Sequence, residues 1–409
     1  MKIGWAKFTM SMELDYNTAR NGHGEERPMM LKGMLDRGHS VVLLTPVLQR
    51  DLAILEIAKS GKRPPGIVDN RWLKGLTYRP EGFANDCDVL IVENGPDNFT
   101  FTDPYFKIPQ IRRAMEIIDN YEGLVILNQS DPLLPFPLWR LTCAPYQWSH
   151  ARNKCRTKGK GTEEHGWGDY KELFLNKKVV VMGKCPWPKT IYPWSFCGNR
   201  HRYDFFARKR LVNFAYLPTG YDKHFIPHIK FDFCEKDWDL VYAGFPRSRV
   251  QSFRKFYGAH LDRTHVFGPW DGGAEKKKLL EEATSAGMTW HGFLNGFPNI
   301  TGAYNRSKCC VNLMPKRAQS LGWVVNRLFE AVASNCLVLG DADTAGIESY
   351  VPRKLIVDSD NIGYVIGLVL SLTGRQYMEF LEEQKSLIGY IDYDHIIYRL
   401  MHIVKRFGG

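Results

Sequence analysis

Short apolar runs, several closing on a glycine, an amide or an acidic residue and most followed by a helix-length segment, recur along this chain. Strands buried on both faces read this way, and a helix-length spacer lets successive strands lie parallel in one sheet. Met1–Trp5 and the run SVVLLT at 40–45 are separated by a polar loop over 11–24 and a helix. That helix is expected to begin near Glu25 or Pro28, since proline suits a first turn, and to end at Gly38. Strand, helix and strand within this span form one βαβ unit. Runs at Val89–Glu93, Leu124–Asn128, Val179–Met182 and Val212–Leu217 continue the series, and Ile111, Met115 and Ile118 mark one face of an intervening helix.

A second series begins at Asp239. LVYAGF (240–245), HVFG (265–268), WHGF (290–293), CCVNLMP (309–315), CLVLGD (336–341) and KLIVDS (354–359) are its expected strands. Helices are expected over Ala303–Lys308, over 324–334 with Asn335 as a left-handed cap, and from Arg375 onward. A chain of 409 residues exceeds one ordinary core. The expected division is one α/β domain over 1–230 with an insertion at 148–210, and a second over 236–374. Helices over 375–409 are expected to pack back on the first domain.

No apolar run approaches the length of a membrane span, and MKIGWAKFTM has neither an apolar h-region nor a small-residue cleavage site. The expectation is a cytoplasmic protein. The 9 cysteines include no CxxC pair, which fits reduced thiols, and Cys185, Cys197 and His201 lack the paired knuckles of a metal centre. No metal site is assigned, and dependence on a divalent cation is left open. The formal net charge of +11 favours an anionic partner: nucleic acid, an anionic membrane face, or phosphorylated small molecules.

Two stretches depart from the alternating pattern. Residues 148–178 are polar and rich in Lys, Arg and Gly, and 186–210 interleave aromatic rings with cations. Lys189, Arg200, Arg202, Arg208, Lys209 and Arg210, with Trp194 among other aromatics, are candidates for DNA contacts. Cations meet phosphates, and rings can hold a flipped base. An aromatic subdomain core with a basic rim is the plainer reading of the same residues.

Ligands of doubly wound sheets bind outside the carboxyl ends of the strands. There, AGFPRSR offers Gly244, where backbone can approach a phosphate, and Arg247 and Arg249, whose forks match phosphate geometry. GWVVNRLFEAVASNCLVLGD embeds Arg327 and Glu330, three residues apart and on one helix face, in an apolar helix. Charges so placed are costly unless paired or bound to a ligand. A carboxylate there can accept both hydroxyls of a ribose, and a structural Arg–Glu pair is the alternative.

The run HGFLNGFPNITGAYNRSKCCVNLMP followed by GWVVNRLFEAVASNCLVLGDADTAGIESY resembles the donor domain of GT-B nucleotide-sugar glycosyltransferases over roughly 239–360. The resemblance implies an α/β fold of two facing Rossmann-like domains with a deep interdomain cleft. It also implies a UDP-sugar donor, with Glu330 on the ribose, Arg327 on the phosphates, and Tyr304, Asn305 and Gly244 lining the pocket. Many retaining members carry a glutamate where this chain has Gly322, so stereochemistry is unassigned. NDCDVLIVENGPDNF (85–99) resembles a strand of phage DNA-glucosylating enzymes. That likeness implies a hydroxymethylpyrimidine of double-stranded DNA as acceptor, and the cytoplasm of a phage-infected cell as the setting. Asp131, after the fourth strand, and His23, in the first loop, are the candidate bases for the acceptor hydroxyl. A surface polysaccharide, protein or lipid-linked glycan is the alternative acceptor. A non-catalytic nucleic-acid-binding protein with a degenerate nucleotide fold is the alternative class.

Overall fold

The computed structural model describes residues 1–7, 12–18, 22–93, 113, 116–128, 179–183, 213–217, 220–221, 230–244, 249–294, 296–314, 319, 324, 326–389 and 392–408. Two parallel sheets organise these residues. The first contains β1 (Lys2–Lys7), β2 (Ser40–Leu43), β3 (Leu76–Tyr78), β4 (Val89–Glu93), β5 (Leu124–Asn128), β6 (Val179–Gly183) and β7 (Asn213–Tyr216). Its spatial order is β3-β2-β1-β4-β5-β6-β7, with every neighbouring pair parallel. The second contains β8 (Trp238–Ala243), β9 (Thr264–Phe267), β10 (Thr289–Trp290), β11 (Ser307–Asn312), β12 (Leu337–Asp341) and β13 (Ile356–Val357). It is ordered β10-β9-β8-β11-β12-β13, again all parallel.

Both orders are doubly wound, so each sheet has a point where consecutive crossovers diverge to opposite sides. These points lie between β1 and β4 in the first sheet and between β8 and β11 in the second. The strands are buried apolar runs: all five residues of β4 and of β12 are inaccessible.

The helices are α1 (Gly22–Asp36), α2 (Gln49–Lys59), α3 (Val250–Tyr257), α4 (Ala274–Ser285), α5 (Phe297–Asn305), α6 (Asn326–Ala333), α7 (Ile362–Leu370), α8 (Gly374–Ile388) and α9 (Tyr393–Gly408). Contacts group Met1–Asp15, Arg27–Pro218 and Ile396–Gly409 into one unit, and Tyr16–Glu26 with Thr219–His395 into another. Most of α9 therefore belongs to the first unit, where Ile397 fills the space over Gly33 of α1. In the second unit, α8 starts on a capping box between Thr373 and Gln376. Its Gln384 amide bridges the backbone N–H and C=O of Val338.

Three local expectations are corrected. The first helix starts at Gly22, before Glu25 and Pro28, so the proline lies inside it and forgoes a helical hydrogen bond. Residues 303–308 are not one helix: α5 ends at Asn305 and β11 begins at Ser307, which pairs with Trp238. The buried Lys236 ammonium fixes that boundary by donating to the carbonyls of Asn305 (2.9 Å), Ser307 (2.9 Å) and Asn335 (2.7 Å). The run at 354–359 yields only the short β13, because Arg353–Leu355 form a 3-10 turn. Asn335 adopts the expected left-handed conformation, with φ of 62° after α6.

Candidate functional site

The switch point of the second sheet has a recess lined by Tyr242, Asn312, Tyr304, Leu313 and Arg327, among others. Each of these positions follows from local structure. Tyr242 and Asn312 come from the last residues of β8 and β11. Arg327 stands in the first turn of α6, and Glu330 one turn later among Leu328, Phe329, Ala331 and Val332. Glu330 retains only 6% exposure, an unusual place for a carboxylate in a helix whose other face is the apolar core.

Among the described residues, three polar atoms in the lining have no hydrogen-bond partner: Tyr242 Oη, Asn312 Nδ2 and Arg327 Nη1. A buried polar atom without a partner costs roughly 1–3 kcal/mol, so three in one recess call for a ligand that supplies acceptors and a donor. Arg327 remains a strong cation. Burial opposes its charge, but Tyr242, Tyr304 and Glu330 more than offset that and raise its pKa above the ordinary arginine value. Tyr304 is pushed well above the usual phenol range by burial, so its hydroxyl stays protonated.

The end of β8 is shaped to let backbone and guanidinium meet. Gly244 has φ of 112°, a conformation other residues avoid, and its amide donates to Phe267 O at 2.6 Å. Its carbonyl accepts Trp270 Nε1 at 2.8 Å, which holds the turn in place. Arg249 caps the start of α3 and donates to Leu313 O at 3.0 Å, tying the loop after β8 to the loop after β11.

Gly244, Arg249 and Arg327 thus fall in or beside the carboxyl-end loops of one sheet, Glu330 lies one turn into α6, and Tyr304 lines the recess from the last turn of α5. Asn305 does not. It closes α5 at the amino edge of that sheet, where it accepts from Asn335 Nδ2 at 3.1 Å. Arg247, Asp131, Lys189, Trp194, Arg200, Arg202, Arg208, Lys209 and Arg210 lie outside the described residues, as does the side chain of His23 within α1. Asp341, at the end of β12, accepts from Asp343 N and Gln319 Nε2 and so braces its own turn. Burial raises its pKa. Tyr242 and Asn312 escape a reading of the sequence because both look like strand interior. The one signal is a lone amide ending the run CCVN.

Neither a protein-family model nor a curated protein matches the sequence. Solved structures do match in shape. T4 phage BGT in complex with its UDP-glucose substrate superposes with a TM-score of 0.60 at 14% identity, covering 100% of this chain and 99% of that one. A structure described as the DNA modifying enzyme beta-glucosyltransferase gives 0.56 at 14% identity, with coverage of 100% and 99%. Sucrose-phosphate synthase from Thermosynechococcus elongatus gives 0.53 at 10% identity, with coverage of 99% and 98%. The chain has the GT-B fold. Within that fold, the recess at Arg327 occupies the switch point of the C-terminal Rossmann-like sheet. Among the described residues, no helix is long and apolar enough to cross a membrane.

Proposed function

We propose that this chain is a glycosyltransferase that moves a sugar from a UDP-sugar to a hydroxyl, and that the hydroxyl belongs to a 5-hydroxymethylpyrimidine in phage DNA. The observation that carries the donor half is the recess at a Rossmann switch point, beside a buried carboxylate, where three polar atoms find no partner among the described residues. A nucleoside diphosphate supplies what that recess lacks. Phosphate oxygens accept from Arg327 and Asn312, ribose hydroxyls meet Glu330, and the departing diphosphate is stabilised by the guanidinium.

In the transfer step the acceptor oxygen bonds to the anomeric carbon as the bond from that carbon to the β-phosphate oxygen breaks. UDP leaves with the electron pair. Asp131 takes the acceptor proton in this proposal, with His23 as the other candidate base. The choice of DNA rests on the net charge of +11, the cationic and aromatic stretch 186–210, and structural likeness to a DNA-modifying transferase. The same fold serves sucrose-phosphate synthase, so the acceptor is the part that needs direct measurement. We place the reaction in the cytoplasm of a phage-infected cell, where thiols stay reduced.

The test incubates the protein with a panel of UDP-sugars, with and without divalent cations, on hydroxymethylated duplex DNA, unmodified duplex DNA and a polysaccharide acceptor. Mass analysis of the digested nucleosides should show one added glycosyl residue on the hydroxymethylated base alone. A product on a glycan and none on DNA overturns the acceptor, while leaving the donor assignment in place.

A further inference from the structure

A cluster of imidazole rings at the edge of the second sheet takes no part in the chemistry above. His265 belongs to β9 and is the register partner of Thr289 in β10. His291 stands two residues beyond Thr289, and its amide donates to Val266 O at 3.0 Å, so the strand pairing continues through it. Side chains two apart on paired strands share a face, which brings His265, Phe267 and His291 together.

Neighbouring rings hold both imidazoles in place. Trp238 packs against the pair, with ring centroids 4.8 Å from His265 and 5.0 Å from His291. Phe267 stacks on His291 at 4.7 Å, with the planes 15° apart. The Arg306 guanidinium lies 4.2 Å from the Trp238 ring centroid, and Asp237 meets its charge at 2.6 Å. This packing sets one nitrogen of each ring side by side near the surface: His265 Nδ1 and His291 Nε2 are 2.9 Å apart. His265 is half-buried and His291 exposed.

A hydrogen bond between two neutral rings satisfies that pair, but the same separation suits a metal ion. An imidazole nitrogen binds a first-row ion at about 2.0–2.1 Å. Two such bonds at a right angle put the nitrogens ~2.9 Å apart, whereas a tetrahedral angle puts them ~3.3 Å apart. The observed distance matches the right angle of a tetragonal or octahedral ion. Ligation also requires neutral rings. Burial lowers both pKa values below the ordinary histidine value, with His291 and Arg306 adding to the effect at His265 against Asp239, and Arg306 adding to it at His291.

The geometry points to a transition-metal site in which His265 Nδ1 and His291 Nε2 take two cis positions on Ni2+ or Cu2+ and water fills the rest. On binding, the ring that donated the shared hydrogen moves that proton to its outer nitrogen, so no net proton is released. The ion then ties β9 to the segment after β10, a strand of only 2 residues, and fastens the edge of the sheet. The site is separate from the recess at Arg327 and does not depend on the donor assignment.

Ni2+ is the probe, because copper is drawn to thiols and Cys234 is exposed. The full chain, without an affinity tag and stripped of metal with EDTA, is titrated with Ni2+ and separately with Zn2+. Calorimetry and tryptophan fluorescence follow the binding, and His291→Ala, His265→Gln and Trp238→Phe are measured beside the native chain. His291 is exposed, so its truncation keeps the core intact.

The native chain should bind one Ni2+ equivalent that each histidine variant binds at least tenfold more weakly, and should hold Zn2+ less tightly than Ni2+. Binding should quench fluorescence in the native chain and much less in Trp238→Phe, which still takes up the ion. Excess Ni2+ should raise the melting temperature of the native chain but not that of His291→Ala. Four results overturn the proposal: no uptake of Ni2+ by the native chain, histidine variants that bind it equally well, Zn2+ held more tightly than Ni2+, or quenching that survives Trp238→Phe unchanged.

Discussion

Gly244 and Arg327 share one space: a Cβ built on Gly244 would stand 2.5 Å from Arg327 Nη2 and 2.9 Å from Arg327 Cζ. The backbone turn after β8 and the guanidinium of α6 are therefore fitted to each other, and the fit needs a residue with no side chain.

Gly244→Ala should disturb both partners. The positive φ costs about 1–2 kcal/mol in alanine, and the guanidinium must move to clear the new methyl group. Affinity for UDP should fall tenfold or more, with a lower melting temperature. Titration calorimetry and a thermal melt on the same preparation measure the two effects.

Glu330 is argued to meet ribose hydroxyls, so its contribution should vanish when the ribose lacks one. The native chain should prefer UDP over 2′-deoxy-UDP by about 1–2 kcal/mol, a charged hydrogen bond's worth. Glu330→Gln should bind UDP more weakly and lose most of that preference. Competition titrations with the two nucleotides report it.

Lys236 acts as a structural clamp at the amino edge of the second sheet, where one ammonium holds three carbonyls. Lys236→Met removes that shared donor, although Asn335 O keeps Tyr377 Oη at 3.0 Å, and should cost ~3 kcal/mol. A denaturant titration should show the shift in midpoint. UDP affinity extrapolated to the native state should hardly change, because the recess lies at the opposite ends of the strands.

His265 and His291 lie ring to ring, with His265 Nδ1 2.9 Å from His291 Nε2. One ring must donate and the other accept, an arrangement that full protonation of both removes. Burial lowers both pKa values, helped for His265 by His291 and for both by Arg306. The unfolded chain therefore takes up protons first as pH falls. The stability this pair contributes is complete above the unfolded histidine value, about 6.5, and is lost as pH drops through the lower folded values. Melting temperatures at pH 7.5 and 5.5 should show the decline, and His291→Gln should flatten it.

Much of the fold can be read from the apolar runs, since a strand buried on both faces leaves little room for other patterns. VLIVE and LVILN give β4 and β5 to the residue because an acidic or amide side chain closes each. The α5–β11 boundary was hidden because it depends on Lys236, which lies far away in sequence and draws three carbonyls together. Helix α2 and strand β3 carry weak periodicity, and their formation follows from packing on neighbours. At the site, Arg327 and Glu330 stand out as charges inside an apolar helix. Tyr242 and Asn312 do not, because nothing local distinguishes a strand's last polar residue from an ordinary edge. Their meaning comes from the strand order, which sets which carboxyl ends lie together.

Whether the recess at Arg327 holds a nucleoside diphosphate is decided by calorimetric titration with UDP of the native chain and of Arg327→Ala. The predicted result is saturable one-site binding by the native chain, weakened by about 30-fold or more in the variant, the equivalent of ~2 kcal/mol for a charge-assisted hydrogen bond. A native chain that does not bind UDP, or a folded Arg327→Ala variant that binds it equally well, would mean that the recess is not a nucleotide site.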